Sequence, residues 1–426
     1  MFPLSPRSGT VPVRFLRACC AAVLACLAVP LATAGTLSLS TATDLAVQRT
    51  PLLDARRDQA ESTRQEALRA GALPDPQLSV GIDNLAVQGR GAFTAGGDDM
   101  TMRTVGITQV LPSSAKRQAQ REEARARIDV ADADTQATGL LVRRQAAEAW
   151  IGVSEAQGEL AALDAMRRSL NADVDVAQAR LRGGGSANDV LAARAGALDI
   201  ENRMDAARGK LAQARAQLVR WLGDEGHDEL AGDPDFATLP RSEKDLLGRL
   251  DEQAALLGWT PRERAADAAL ASARADKHPD WSIGASYGSR VRGLSDMVSL
   301  QVGVSLPLFT RNRQDRGISA RTADADAVRD EHEDARREQK AMVQSALENW
   351  KSLGAQLERH HGSLLPLADD RVTVALASYR GGGDIQPLLQ ARRDELALRL
   401  DETRLRADYG RAWAALAFLL PQGNTP

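Results

Sequence analysis

Two short segments place arginine, glycine and aspartate within long helical patterns. They are Arg182-Gly183-Gly184-Gly185, followed by Asp189, and Arg380-Gly381-Gly382-Gly383, followed by Asp384. A glycine-rich loop can bind phosphate, but neither segment is followed by Lys-Ser/Thr or has the strand–loop–helix context of a phosphate-binding loop. Three consecutive glycines do permit positive φ angles and a tight backbone. Each segment is therefore predicted to turn a long helix back onto an antiparallel partner.

The sequence contains no arrangement typical of catalysis. Gly-x-Ser-x-Gly and His-Glu-x-x-His are absent, and all three cysteines precede residue 35. Among the five histidines, His360 and His361 are adjacent, so on a helix they point about 100° apart and cannot bind one ion together. Both are predicted to face solvent. We expect a protein that is not an enzyme and has no cofactor or metal site.

Composition excludes two further classes. The 426 residues carry a net charge of −3 with 26% charged residues, which gives no indication of nucleic-acid binding. After the N-terminal segment, no run of about 20 apolar residues could form a membrane helix. This excludes an inner-membrane helical transporter.

The N-terminus is typical of a secretory signal peptide covering residues 1–34. Three arginines precede the apolar segment 18–34, which ends in the small-residue motif Ala32-Thr33-Ala34. Cleavage after Ala34 would remove every cysteine, so a disulfide framework is not expected. In the alternative interpretation, residues 23–26 form a lipoprotein signal and Cys26 is acylated.

The remaining chain repeats five landmarks in the same order. These pairs are PQLSVG and PDWSIG, VGITQVLP and VGVSLPLF, Trp150 and Trp350, the two glycine turns, and VLAAR and LLQAR. This order predicts a tandem duplication with units at 35–222 and 245–421, an acidic connection at 223–244 and a tail at 422–426. Each unit reads as a helix, two strands, a very long helix, a glycine turn and a helix.

The predicted strands alternate between apolar and small polar residues. The clearest example runs from Val298 to Leu306, where valines and leucines alternate with Ser299, Gln301, Gly303 and Ser305. This period of two fits a half-buried sheet, and it also fits a membrane barrel strand with lipid on one side.

The predicted long helices carry apolar residues every seven positions, which is typical of helices packed as a coiled coil. One series is Val142, Ala149, Ala156, Leu163, Leu170 and Ala177. From Ser113 to Arg182 a single helix would measure about 105 Å, and the helix from Thr310 to Arg380 would be about as long. An ordinary globular domain does not use helices of this length.

The strand number constrains the assembly. Four strands cannot close a membrane barrel, which needs at least about eight, and lipid does not tolerate an open edge. Either the sheet is soluble or several chains share one barrel. Three chains would contribute twelve strands, which suggests a trimeric conduit.

The sequence resembles the TolC-type outer-membrane efflux proteins over nearly all of the mature chain. The resemblance rests on LSLSTATDLAVQRTPLLDARRDQAES near the start and on the proline-marked helix entries at Pro112 and Pro307. It implies a mainly α fold with a small β part, in which three protomers share a twelve-stranded β-barrel continuous with a periplasmic helical tunnel. It also implies an outer-membrane location in a Gram-negative bacterium, contact with lipid, and two protein partners. These are a periplasmic membrane-fusion (adaptor) protein and an inner-membrane RND-type pump.

The resemblance also suggests roles for the glycine turns. In that family such turns form the tunnel tip that meets the adaptor, so Arg182–Gly185 and Arg380–Gly383 are candidate adaptor contacts. Asp189 and Asp384 are candidates for a carboxylate constriction at the tip. The alternatives are plain helix reversals and solvated charges that favour a helix N-terminus.

Two motifs resemble the heavy-metal branch of the family: SLPLFTRNRQ at 305–314 and TQVLPSSAKRQ at 108–118, although Ala115 replaces the usual glycine. The resemblance therefore implies a passive exit duct for heavy-metal cations. Multidrug efflux and type I protein secretion are alternatives on the same fold. An alternative of another class is a soluble periplasmic coiled-coil scaffold whose strands pack as a small sandwich.

Overall fold

The computed structural model describes residues 36–290 and 293–421. The predicted signal peptide, Cys26 and the tail at 422–426 lie outside these residues. The strands are β1 (Thr36–Leu37), β2 (Gln77–Asp83), β3 (Met102–Leu111), β4 (Glu229–Leu230), β5 (Asp280–Arg290) and β6 (Met297–Ser305). The α-helices are α1 (Leu39–Arg49), α2 (Pro51–Arg69), α3 (Ser114–Arg182), α4 (Ala187–Leu222), α5 (Glu243–Gly248), α6 (Trp259–Ala275), α7 (Gln314–Arg359), α8 (Leu365–Arg380) and α9 (Gln386–Ala417).

Four strands form one antiparallel sheet in the order β2-β3-β5-β6. The register places Val80, Val105, Tyr287 and Val298 in one row across all four strands. Because side chains alternate along a strand, this row and its neighbours build one apolar face, and serines, threonines and glycines build the other. The apolar face is exposed, with Val80 at 75%. In the described part of the chain these strands form a single layer, so the small sandwich of the scaffold alternative is wrong.

The helices lie side by side in the same order as the strands that they adjoin. Next to the sheet, α2 contacts α3, α3 contacts α6 and α6 contacts α7. Toward the glycine turns, α4 contacts α3, α3 contacts α9 and α9 contacts α8. The chain is therefore a strip of adjacent elements. Strands β2 and β6 lie at its two open sheet edges, and α4 and α8 lie at the two ends of the row of helices beside the glycine turns.

The heptad pattern correctly identifies the helical core. On α3 the buried seam includes Val142, Ala146, Val153, Leu163 and Leu170. On α4 it includes Val190, Ala193, Ala197, Ile200 and Met204. These apolar residues return to the same helix face every second turn, so α3 and α4 bury them against each other and against α9. No helix in the described ranges is long and apolar enough to cross a membrane.

The prediction for α3 is confirmed, since one helix spans Ser114–Arg182. The matching prediction for Thr310 to Arg380 is wrong in two respects. Helix α7 begins only at Gln314, after a 3₁₀ turn, and a π-helical turn at His360–Leu364 separates it from α8. Pro366, near the start of α8, lacks the N–H that a continuous α-helix would bond to the residue four positions earlier, which accounts for the interruption.

Trp150 and Trp350, which occupy equivalent positions in the two predicted units, bind the backbone of the segments at Leu37 and Phe236. The Trp150 indole donates to the Leu37 carbonyl oxygen at 2.9 Å, and the Trp350 indole donates to that of Phe236 at 2.9 Å. Nearby, β1 pairs in parallel with β4, which lies in the stretch predicted as a connection. These contacts fix the long helices where the two units join.

Candidate functional site

Both glycine turns have the same backbone hydrogen bonds. In the first turn, the Gly185 N–H donates to the Arg180 carbonyl oxygen (2.9 Å) and the Gly184 N–H donates to that of Leu181 (3.1 Å). In the second turn, the Gly383 N–H donates to the Ser378 carbonyl oxygen (3.0 Å) and the Gly382 N–H donates to that of Tyr379 (3.1 Å). A hydrogen bond between residues five apart that encloses one between residues three apart is the Schellman motif, which satisfies the last carbonyls of a helix. The predicted reversals are confirmed: α3 turns into α4, and α8 turns into α9.

The middle glycine of each turn meets the conformational requirement. Gly184 has φ +96° and Gly382 has φ +106°, a region in which a Cβ clashes with the backbone. The first glycines differ, because a Cβ on Gly183 would lie no closer than 3.4 Å to another heavy atom. One glycine per turn is therefore required by its positive φ.

Arg180 joins the two turns. Its Nη1 donates to the Gly383 carbonyl oxygen at 2.9 Å, and its guanidinium carbon lies 4.1 Å from the centre of the Tyr379 ring. The first contact is a charge-assisted hydrogen bond and the second is a cation–π interaction. Arg180 lies on α3 and both partners belong to the α8–α9 turn, so this side chain connects the two predicted units.

Tyr379 and Asp189 form the second connection. The Tyr379 side chain is fully buried, and its hydroxyl donates to Asp189 Oδ2 at 3.2 Å. Burial is the main cause that raises the pKa of Tyr379, and the negative charge of Asp189 raises it further. The phenol is therefore neutral at physiological pH and can donate this hydrogen bond.

The structure separates the two aspartates predicted for a constriction. Asp189 is mostly buried between the turns, and Arg180 lies 3.9 Å from it. Asp384 is exposed and accepts a hydrogen bond from the Gln386 N–H at 3.2 Å, which satisfies the start of α9. The two carboxylates are not equivalent in their surroundings, and their role in a constriction stays a prediction.

The two arginines that precede the glycines are free surface groups. Arg182 and Arg380 are exposed, and within residues 36–290 and 293–421 neither forms an ion pair. Together with Gly183, Gly184, Gly381 and Gly382, which are also exposed, they form the outer surface of the turns. A binding partner could reach these groups without disturbing the Arg180 contacts.

A buried ion network lies further along the same helices. Asp173 on α3, only 2% exposed, accepts from Arg392 Nε on α9 at 3.0 Å. Arg392 also contacts Glu395 at 3.2 Å, and Glu395 in turn pairs with Arg399 at 3.0 Å. Burial alone would lower the pKa of Arg392, but hydrogen bonds and charge from Asp173 and Glu395 outweigh it and raise the pKa. The network ties α3 to α9 near the turns.

The histidines offer no metal centre in the described part of the chain. No cluster of three histidine, cysteine or carboxylate residues there could hold an ion. His361 is exposed as predicted and contacts Glu402 at 3.2 Å. His360, the first residue of the π-helical turn, is partly buried with its Nδ1 shielded from solvent, so the solvent-facing prediction is wrong for this residue.

Sequence reasoning missed the residues that connect the turns. Arg180, Tyr379, Asp173 and Arg392 all lie on predicted helices, but nothing in helical periodicity indicates their partners. One signal was present: Tyr379 stands where the first unit has Leu181, and a tyrosine that is buried needs a partner for its hydroxyl group, which a leucine does not. That partner is Asp189.

Comparisons with known proteins agree with this architecture. Residues 250–422 match the family model described as outer membrane efflux protein. No curated protein sequence matches the chain significantly.

Several solved structures share the fold. A structure of CusC, from work on its folding and transmembrane channel formation, has a TM-score of 0.74 at 18% identity over 90% of this chain and 92% of that one. A membrane protein from Pseudomonas aeruginosa gives 0.75 at 18% identity, covering 89% and 93%. The outer membrane protein VceC from Vibrio cholerae gives 0.72 at 18% identity, covering 89% and 95%. The chain has the fold of these membrane proteins.

Proposed function

We propose that this chain is one protomer of a trimeric outer-membrane efflux duct. The observation that carries this proposal is the four-stranded sheet with an exposed apolar face and two unpaired edges, β2 and β6. In lipid such edges must be paired, and pairing β2 of one copy with β6 of the next closes a ring. Three copies supply twelve strands. The match of residues 250–422 to the outer membrane efflux protein model supports the same conclusion.

The helical edges carry surfaces that suit the same assembly. Leu191 and Leu198 on α4 are 64% and 65% exposed, and Leu367 and Val374 on α8 are 59% and 70% exposed. Each pair is spaced by seven residues, as in the buried seams of the same helices. We infer that the α4 stripe of one copy packs against the α8 stripe of its neighbour.

The glycine turns then form the periplasmic tip of a helical tunnel. Arg182 and Arg380 with their neighbouring glycines present an exposed, positively charged surface, which suits contact with a periplasmic adaptor protein. Asp189 and Asp384 would line or border the tip opening. The Arg180 and Tyr379 contacts hold the two turns of a protomer together. Widening of the tip would therefore either break these contacts or move both turns as one unit.

The duct is passive in this proposal, and an inner-membrane RND-type pump supplies the energy. Heavy-metal cations are the proposed cargo, supported by the resemblance of SLPLFTRNRQ and TQVLPSSAKRQ to heavy-metal members. The domain division proposed from the sequence is retained, with units at 35–222 and 245–421 joined through 223–244.

A deletion strain tests the function and the cargo together. Growth is measured with zinc, cobalt, cadmium, copper and silver salts beside dyes, detergents and antibiotics. The strain is complemented with the wild type, with R182E/R380E at the tip, and with R359E/R404E as a control on exposed helix faces away from the turns. We expect sensitivity to metals alone, rescued by the wild type and the control but not by R182E/R380E. Sensitivity only to organic compounds would overturn the metal proposal and leave the duct intact.

The assembly is tested on purified protein. The wild type should have the mass of a trimer in detergent and should conduct ions in a planar bilayer. L198D on α4 should lose the trimer because it places a charge in the proposed seam, whereas A161D, at an exposed position on α3, should keep it. A wild-type monomer without conductance would exclude the duct.

A further inference from the structure

A short apolar segment follows the edge strand β6 and lies open on the surface. Leu306, Leu308 and Phe309 are 59%, 73% and 86% exposed. Leu306 continues the alternation of Val302 and Val304, so it extends the apolar face of the sheet by one step. Consecutive apolar side chains at such exposure need a covering surface, since isolated exposed residues are common but contiguous patches are not.

Three arginines follow at once. Arg311, Arg313 and Arg316 are exposed, and within the described ranges none of them forms an ion pair. The one carboxylate among them, Asp315, is already occupied by Lys277 at 2.6 Å and by the Thr310 hydroxyl at 2.9 Å. The arginines therefore present uncompensated positive charge beside the apolar segment.

The position of this patch is informative. It lies between the last residue of β6, Ser305, and the first residue of α7, Gln314, where the sheet passes into the helices. If the sheet spans a membrane, as in the proposed function on which this inference rests, the patch lies at the membrane surface. Apolar and aromatic side chains at that depth contact acyl chains, and basic side chains reach the headgroups.

We propose that residues Leu306–Arg316 form a binding site for anionic phospholipid. Leu308 and Phe309 contact the acyl region, and Arg311, Arg313 and Arg316 bind the headgroup phosphate. Guanidinium groups suit phosphate because they form paired hydrogen bonds to its oxygens. Free phosphate would use the arginines but leave the three apolar side chains uncovered, so the combination favours lipid.

The first test measures lipid retention by the full-length protein. Wild type is purified from vesicles of dioleoylphosphatidylglycerol and dioleoylphosphatidylcholine in equal amounts, and the lipid that copurifies is quantified. R311Q/R313Q/R316Q should retain at least about fivefold less phosphatidylglycerol, because each basic residue near an anionic surface contributes to attraction. The matched control R203Q/R359Q/R404Q removes three exposed arginines elsewhere and should retain wild-type amounts. Equal retention by both variants would overturn the proposal.

Inorganic phosphate separates the two anion sources. At 20 mM sodium phosphate, with ionic strength matched by chloride, phosphatidylglycerol retention by the wild type should be unchanged. Complete displacement by phosphate would show a free-phosphate site and overturn the lipid assignment.

The second test reports what covers Phe309. The sequence has no cysteine after Cys26, so F309C can be labelled with a fluorophore at this position. Brominated phosphatidylglycerol should quench the label at least about twofold more than brominated phosphatidylcholine. No quenching of the label, together with a disulfide-linked dimer when unlabelled F309C is oxidised, would mean that a second copy covers the segment and would overturn the proposal. Conductance of the same samples tests the duct separately. A wild-type protein that does not conduct ions would contradict the proposed function but would leave the lipid measurement valid.

Discussion

The guanidinium carbon of Arg180 lies 4.1 Å from the centre of the Tyr379 ring, while Arg180 Nη1 donates to the Gly383 carbonyl oxygen. These residues belong to different glycine turns, separated by about half the chain. The contact therefore holds the two turns of the chain next to each other.

Arg180→Ala should loosen the α8–α9 turn. The variant loses a partly buried cation–π interaction and a charge-assisted hydrogen bond, together worth about 1–2 kcal/mol. Amide hydrogen exchange at 381–389 should become about 5–30-fold faster. Arg182→Ala, two residues away and exposed, is the control and should leave exchange unchanged. Equal exchange in the two variants would contradict the bridging role of Arg180.

The middle glycines should tolerate alanine poorly. Gly184→Ala and Gly382→Ala each force a Cβ into a positive-φ conformation, at a cost of about 1–2 kcal/mol. Gly183→Ala and Gly381→Ala have ordinary φ angles and no contact closer than 3.4 Å, so they should be nearly neutral. Thermal unfolding of the four variants compares the positions. A midpoint drop at the first glycines as large as at the middle ones would show that the φ argument is wrong.

Asp173→Ala should be strongly destabilising. It leaves the buried Arg392 without its main partner, and removing one member of a buried ion pair costs about 3–5 kcal/mol. Asp199→Ala is the matched control, because Asp199 forms an exposed pair with Arg203 at 3.0 Å that is worth less than about 1 kcal/mol. The unfolding midpoints of the two variants are compared with that of the wild type. Similar decreases in the two variants would mean that the Asp173 network contributes no more stability than a surface ion pair.

Packing between the turns should weaken at high pH. The pKa of Tyr379 is raised above its ordinary value by burial and then by Asp189, so the folded state favours the neutral phenol. The stabilisation is fully present below the ordinary tyrosine pKa of about 10 and is lost as pH rises through the higher folded value.

Limited proteolysis at the turns from pH 8 to 12 measures this loss. Tyr379→Phe removes the titrating hydroxyl and should abolish the alkaline step, whereas Tyr409→Phe should retain it. A step that persists in Tyr379→Phe would assign it to another group.

Local patterns in the sequence predicted the four long strands, the long helices and the two helix reversals. Alternation identified the four long strands, the heptads identified the seams of α3 and α4, and the glycines identified both reversals. These features depend on neighbours within a few residues, so they can be read along the chain. The break at His360–Leu364 was missed, although Pro366 was visible, because Val343, Trp350, Leu357 and Leu364 keep the seven-residue spacing up to the end of the break.

Only the tertiary structure decided which charges meet. Arg180 and Gly383 are 203 positions apart, and Asp173 and Arg392 are 219 apart. Whether a charged residue on a helix faces solvent or a partner depends on how helices from both halves pack, and no local period encodes that. Thus Asp189, expected as a free carboxylate at the tip, is held by Tyr379, and Arg180, which the sequence did not single out, joins the two turns.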